Sequence, residues 1–179
     1  MNLLKDFTKE EKSWMLYDWA NSAHSVIVVT ILPIFFNTVA SYTKDAVSSM
    51  IAWGYATSLA MAIVALAAPV LGAFGDFAGL RKKLFGVFLA LGCLSCLLLG
   101  ATPLSDFTDP ALADKMAGII LGLYILSTVG FAGANLYYDS FLSDVTTDER
   151  MDRVSTMGYG LGYLGGSTIP LLIFLVMNG

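Results

Sequence analysis

Residues 46–75 read AVSSMIAWGYATSLAMAIVALAAPVLGAFG, with no Asp, Glu, Lys or Arg between Asp45 and Asp76. A helix rises about 1.5 Å per residue, so about 20 mostly apolar residues cross the roughly 30 Å hydrocarbon layer of a bilayer. This stretch is long enough. Four further charge-free runs surround it: Trp19 to Thr43, Leu84 to Ser105, Met116 to Tyr138 and Val154 to Gly179. Each also exceeds that length, and together they predict spans over 19–42, 51–74, 84–102, 116–138 and 155–177 behind a cytoplasmic leader over 1–18.

Composition agrees. The chain is 56% hydrophobic and 13% charged, against about a quarter charged for a soluble domain, and its mean hydropathy is +0.71. Helices apolar on every face belong in lipid, and 179 residues enclose too little volume to hide five of them. The fold class is therefore all-α: a polytopic transmembrane helix bundle of five helices.

Basic residues set the orientation. Lys5, Lys9 and Lys12 precede the first run, Arg81, Lys82 and Lys83 separate the second from the third, and Arg150 and Arg153 separate the fourth from the fifth. The alternate turns carry only Lys44 and Lys115. The positive-inside rule then places the N-terminus in the cytoplasm, Gly179 outside, and the chain in the cell (inner) membrane. Trp19, Tyr42, Trp53, Tyr137 and Tyr138 fall near span ends, where amphipathic rings favour the headgroup region. The polar first dozen residues lack the apolar core of a cleaved secretory signal, so no cleavage is expected.

Metal and redox chemistry find little purchase. Cys93 and Cys96 form C-x-x-C inside the third run, with no second pair, and read as two small side chains one helical turn apart. His24 is the sole histidine. No catalytic residue, metal site or cofactor is expected. The loop from Thr102 to Asp114, with Pro103, Pro110 and Asp106, reads as an exposed outer turn, and Thr146 or Thr147 is expected to cap a short surface helix.

The first run has one polar face. At 100° per residue, Asp18, Asn21, Ser22 and Ser25 share an arc of about 100°, with His24 at its edge. An ionised group at mid-bilayer costs roughly 2.5–3.5 kcal/mol, so such a face avoids lipid. Either it lines a translocation pathway, with Asp18 or His24 handling a proton, or it bonds a neighbouring helix near the cytoplasmic interface. Asn135, in the fourth run, is a second candidate on the same grounds.

The most specific local pattern is Gly72-Ala-Phe-Gly-Asp76-Phe-Ala-Gly79-Leu-Arg81-Lys82-Lys83. An acid at one helix end, a turn glycine and a basic cluster at the next helix make a compact charged hinge. The pattern G-x-x-x-D-x-x-G-x-[RK]-[RK] resembles the signature of the major facilitator superfamily of secondary transporters. By that resemblance Asp76 is an acid that pairs with the basic residues and with a helix end in the other six-helix half, Gly79 is the turn glycine, and Arg81 and Lys82 are basic partners. Phe77 stands where the family often has a basic residue.

Further motifs narrow the likeness: Trp14-Met-Leu-Tyr17-Asp18-Trp19-Ala-Asn21-Ser22, Trp53-Gly54-Tyr55, Tyr137-Tyr138-Asp139 and Ser155-x-x-Gly158-Tyr-Gly160-Leu-Gly162-Tyr163-Leu-Gly165-Gly166. In this order they resemble the vacuole-effluxer-like branch, whose eukaryotic members are autophagy-related exporters of amino acids. The resemblance implies amino-acid efflux as one candidate activity.

Gly158, Gly162 and Gly166 recur every fourth residue, a spacing that lets two helix backbones approach closely in lipid. The run partly resembles the fifth-helix motif of proton-antiporting facilitators, but Tyr163 follows Gly162 where that motif has proline. Antiport is not inferred. Pro33, Pro69 and Pro170 are each positioned to kink a helix.

A facilitator fold has two six-helix halves of inverted three-helix repeats, and five runs supply less than one half. The chain is expected to be an N-terminal portion of a transporter that moves a small solute by alternating access. The alternative is a non-transporting polytopic protein, such as a lipid-metabolism enzyme or a partner subunit; Asp139, Asp144, Asp148 and Asp152 do not have the spacing of a metal site and read as a solvated loop. Expected partners are membrane lipids, a small solute of unassigned identity, and a second transporter half or a second copy; no nucleic acid is expected.

Overall fold

A computed structural model of the chain describes residues 5–77, 79–102 and 109–178. Its elements are α1 (Lys9–Val26), a π-helical segment (Ile27–Ile31), α2 (Leu32–Ala40), α3 (Ala46–Gly75), α4 (Leu80–Gly100), α5 (Pro110–Ser140), α6 (Leu142–Val145), α7 (Asp148–Leu161), a second π-helical segment (Gly162–Thr168) and α8 (Ile169–Asn178). The class is all-α, and among the described residues four helical stretches are long and apolar enough to cross a membrane: Lys9–Ala40, Ala46–Gly75, Leu80–Gly100 and Pro110–Ser140. The fifth run is helical too, carried by α7, the second π-helical segment and α8.

Helices α1 and α5 begin ahead of the charge-free runs, because capping side chains rather than apolarity start them. Residues expected as a polar leader are helical from Lys9. Thr8 and Glu11 form a capping box: the Glu11 N–H donates to Thr8 Oγ1 (3.1 Å) and the Thr8 N–H to Glu11 Oε2 (2.8 Å). Asp45 caps α3 by accepting the Ser48 N–H, and that bond holds its carboxyl below the ordinary carboxylate range. Asp109 accepts the Ala111 N–H at 2.9 Å as α5 begins. Thr147 occupies the cap position of α7 without a side-chain bond to the backbone, and α7 leads into the glycine run instead of forming a short surface helix. The outer turn expected around Pro103 and Asp106 lies outside the described residues.

Both π-helical segments stop one residue short of a proline: Leu32 separates the first from Pro33, and Ile169 separates the second from Pro170. Proline has no N–H, so the carbonyls of Val29 and Gly166 lose their regular partners four residues on. Widened turns appear there. Pro69 sits inside α3 without interrupting it.

The chain forms two compact units, Met1–Thr30 with Tyr138–Gly179, and Ile31–Tyr137. In the second, Gly92 on α4 meets Gly130 on α5 so closely that a Cβ at Gly130 would stand 2.4 Å from the Gly92 nitrogen. Trp53 stacks on Tyr124 at 4.4 Å, and the Tyr124 hydroxyl lies 3.1 Å from that of Thr57. Tyr137 donates to the Leu71 carbonyl at 2.8 Å. Lys44 pairs with Asp114. Large apolar side chains point outward, as in Leu66, 79% exposed, and Val176, 82% exposed. Such surfaces belong against lipid acyl chains.

Candidate functional site

The first unit brings α1 against the glycine-bearing helix. The glycines of that run are not equivalent. A Cβ at Gly166 would stand 2.4 Å from the Trp19 carbonyl oxygen and 2.4 Å from Ser22 Cβ, and one at Gly162 would stand 2.7 Å from Ser22 Oγ. At Gly158 it would meet the Trp14 ring at 2.8 Å, and at Gly165 it would overlap the Trp19 indole. Gly160 faces open space. Here α1 keeps its side chains at the contact, and the approach is this close because the facing helix carries none.

That approach positions the polar face of α1. Asp18, Asn21, Ser22 and His24 are half-buried, and Ser25 is exposed. Ser22 donates to the Asp18 carbonyl at 2.9 Å. The Asp18 Oδ2 lies 3.4 Å from a Cβ built at Gly162 and 3.6 Å from one built at Gly158, so this carboxyl rests over the glycine face. The Asp139 carboxyl is within electrostatic range of it. Asn135 is half-buried on α5 and belongs to the second unit.

Trp14 and Tyr138 join the two ends of the first unit. Their rings stack at 4.5 Å and 15°, the Trp14 indole N–H donates to the Tyr138 carbonyl at 3.2 Å, and the Tyr138 hydroxyl donates to the Trp14 carbonyl at 3.2 Å. Tyr17 packs on the same ring at 4.5 Å.

Below this pair sits a charged lock that the sequence reading did not nominate. Glu11 is 1% exposed. It accepts from Arg150 Nε (2.9 Å) and Nη2 (2.8 Å), from Thr146 Oγ1 (2.7 Å) and from the Thr8 N–H (2.8 Å). A buried carboxylate survives in this way, with its lone pairs filled by a bidentate guanidinium and two further donors. The Glu11 hydrogen bond raises the Arg150 pKa further above its ordinary value. Arg150 also donates to the Asp6 carbonyl at 2.8 Å, Arg153 bonds Asp6 Oδ2 at 3.2 Å, and the Arg153 guanidinium lies 5.0 Å from the centre of the Phe7 ring. The signal available in sequence was Thr8-x-x-Glu11, a capping-box pattern ahead of an apolar run.

The charged hinge lies in the second unit. Asp76 ends α3 with an exposed side chain, Gly79 takes φ 81° at the start of α4, Arg81 is half-buried and Lys82 is exposed. Gly79 is the described residue with positive φ, a conformation that costs any side chain. Gly72 meets nothing, whereas a Cβ at Gly75 would stand 3.2 Å from the Tyr137 ring. Gly75, not singled out in the sequence, is the packing glycine at this helix end. Cys93 and Cys96 are free and exposed on α4.

The family model described as "Vacuole effluxer Atg22 like" matches residues 42–149, which take in α3, α4, α5 and the hinge between α3 and α4. The chain belongs to this family. An uncharacterized MFS-type transporter, YxiO, of Bacillus subtilis (strain 168) is 40% identical over 177 residues, covering 98% of this chain and 39% of the relative. The chain therefore spans about two fifths of the length of that curated relative. No solved structure matches it. With the apolar helices, membership of the vacuole effluxer family makes this a multi-pass membrane protein.

Proposed function

We propose that the protein acts in secondary active transport, moving a small solute across the cell membrane by alternating access with its N-terminus in the cytoplasm. Amino acids are the first cargo class to test. The observation that carries this reading is the interrupted helix: the first and fifth helical runs each break into a π-helical turn ahead of a proline, and α1 and the second π-helical segment pack with a polar face and a carboxyl at their contact. Broken helices with freed carbonyls are how transporters build polar sites inside a bilayer. Family membership and the likeness to an MFS-type transporter support the same activity.

In this reading Asp18, Asn21, Ser25 and His24 face the pathway, and Asp76, Gly79, Arg81 and Lys82 steady one state of the cycle. The remaining helices come from a second half or a second copy. Coupling to an ion gradient requires that solute and ion bind the two facing states with different affinity.

Flux measurement tests this directly. Reconstituted protein should accumulate a labelled amino acid in liposomes under an imposed ion gradient, and Asp76→Asn should lower the rate while leaving the protein folded. Equal uptake by protein-free liposomes would contradict the reading.

A further inference from the structure

Tyr159 and Tyr163 stand one turn apart on the fifth helical run, their rings edge-to-face at 5.0 Å and their hydroxyls 3.4 Å apart. They are 64% and 60% exposed. Counted from Arg153 at 1.5 Å per residue, they lie about 9 and about 15 Å along the helix, and the second is about halfway through a 30 Å hydrocarbon layer. That is too deep for an interfacial aromatic belt. The bond between the hydroxyls uses one of their two O–H donors, so a lipid-facing pair would carry a phenol proton into hydrocarbon.

A charge accompanies them. Tyr159 and Tyr163 directly follow Gly158 and Gly162, the two positions over which Asp18 Oδ2 rests. Asp18 acts electrostatically on Tyr159, and Asp139 on Asp18. Among the described residues Asp18 makes no ion pair, whereas Asp6, Glu11 and Asp114 each do. The face thus combines two accessible aromatic rings with a carboxyl that lacks a cationic partner. Aromatic faces and a carboxylate together recognise a cationic nitrogen, through the ring quadrupole and direct charge pairing.

We infer that Asp18, Tyr159 and Tyr163 form a binding site for the ammonium group of a small organic solute. The inference deepens the transport reading and rests on it for its physiological purpose, but binding is measured without flux. An ammonium can come from a simple amine or from an amino acid, and the site reads the shared group.

The test is equilibrium binding of labelled 3-methylbutylamine to the full chain in lipid nanodiscs near neutral pH, competed by leucine, 3-methylbutanol or 4-methylpentanoate. Competition by unlabelled amine but not by the alcohol or the carboxylate supports the site. Leucine competing as well extends it to amino acids, and leucine failing restricts it to amines. Asp18→Asn and Tyr159→Leu should each weaken binding about tenfold, while Tyr159→Phe, which keeps the ring, should stay within about threefold. Thermal unfolding of the same samples identifies a variant that fails to fold, and Tyr159→Phe against Tyr159→Leu then decides. Equal competition by the alcohol, or wild-type affinity in folded Asp18→Asn, overturns the proposal. Ammonium-selective binding without flux overturns only the transport reading, and flux without such selectivity overturns only this site.

Discussion

Trp14 and Tyr138 exchange hydrogen bonds: each side chain donates to the other residue's carbonyl oxygen, both at 3.2 Å, while their rings stack. An indole N–H and a phenol O–H are costly to bury unpaired, and here each also satisfies a backbone acceptor. Replacing Tyr138 by Phe keeps the stack and removes one bond, so it should cost about 1 kcal/mol. Trp14→Ala removes stack, bond and volume together and should cost about 3 kcal/mol or more. Thermal unfolding in detergent, read by fluorescence-detected size exclusion, should rank the two in that order.

The Glu11 lock should fail asymmetrically. Arg150→Ala orphans a carboxylate that is 1% exposed, whereas Glu11→Ala frees an Arg150 that already reaches solvent. The first should cost about 2–3 kcal/mol and the second less, because the larger penalty belongs to the charge left buried. Arg150→Lys should not restore stability, since an ammonium cannot reproduce the two-pronged contact. A double-mutant cycle in thermal unfolding measures the coupling, and independent additive effects would contradict a direct pair.

Gly160 and Gly166 lie in the same helical run and should respond oppositely to alanine. A Cβ at Gly166 would meet backbone and side-chain atoms of α1 at 2.4 Å, and one at Gly160 would meet nothing. Gly166→Ala should therefore destabilise by about 1–3 kcal/mol through overpacking, whereas Gly160→Ala should be neutral or gain up to about 1 kcal/mol from helix propensity. Comparable losses at both positions would show that the glycines act through backbone flexibility instead of close approach.

Gly79→Ala should destabilise by about 1–2 kcal/mol, because φ 81° forces a Cβ against the backbone. Gly79→Asn should recover part of this, since asparagine tolerates the left-handed region. Gly72→Ala, in open space, is the control with no expected loss. Melting temperatures of the three variants check the order.

These positions show what the sequence discloses. Charge-free runs mark where lipid can be, and four of the five coincide with single uninterrupted or singly widened helical stretches that clear the length for a span. They mark both ends of α3 but not the starts of α1 and α5. Lys9 and Pro110 begin helices ahead of the apolar runs because Thr8 and Asp109 accept backbone N–H groups, a local chemistry that hydropathy cannot register. The four-residue glycine spacing is visible in the chain, but the partner face on α1 is not. Neither is the pairing of Glu11 with Arg150, which are remote in sequence and meet only after folding. The exposure of Tyr159 and Tyr163 is equally silent in the chain, because an aromatic pair at helical spacing is compatible with ordinary packing.

The central claim is a chain threaded through a bilayer with its basic turns inside. Sidedness of two turns tests it most directly, using Ser41→Cys in the turn after α2 and Lys82→Cys at the start of α4, each in a Cys93→Ser, Cys96→Ser background. An impermeant maleimide added to intact cells should label the cysteine at position 41 and reach the one at position 82 only after permeabilisation. Labelling of both in intact cells, or of position 82 alone, would contradict the account.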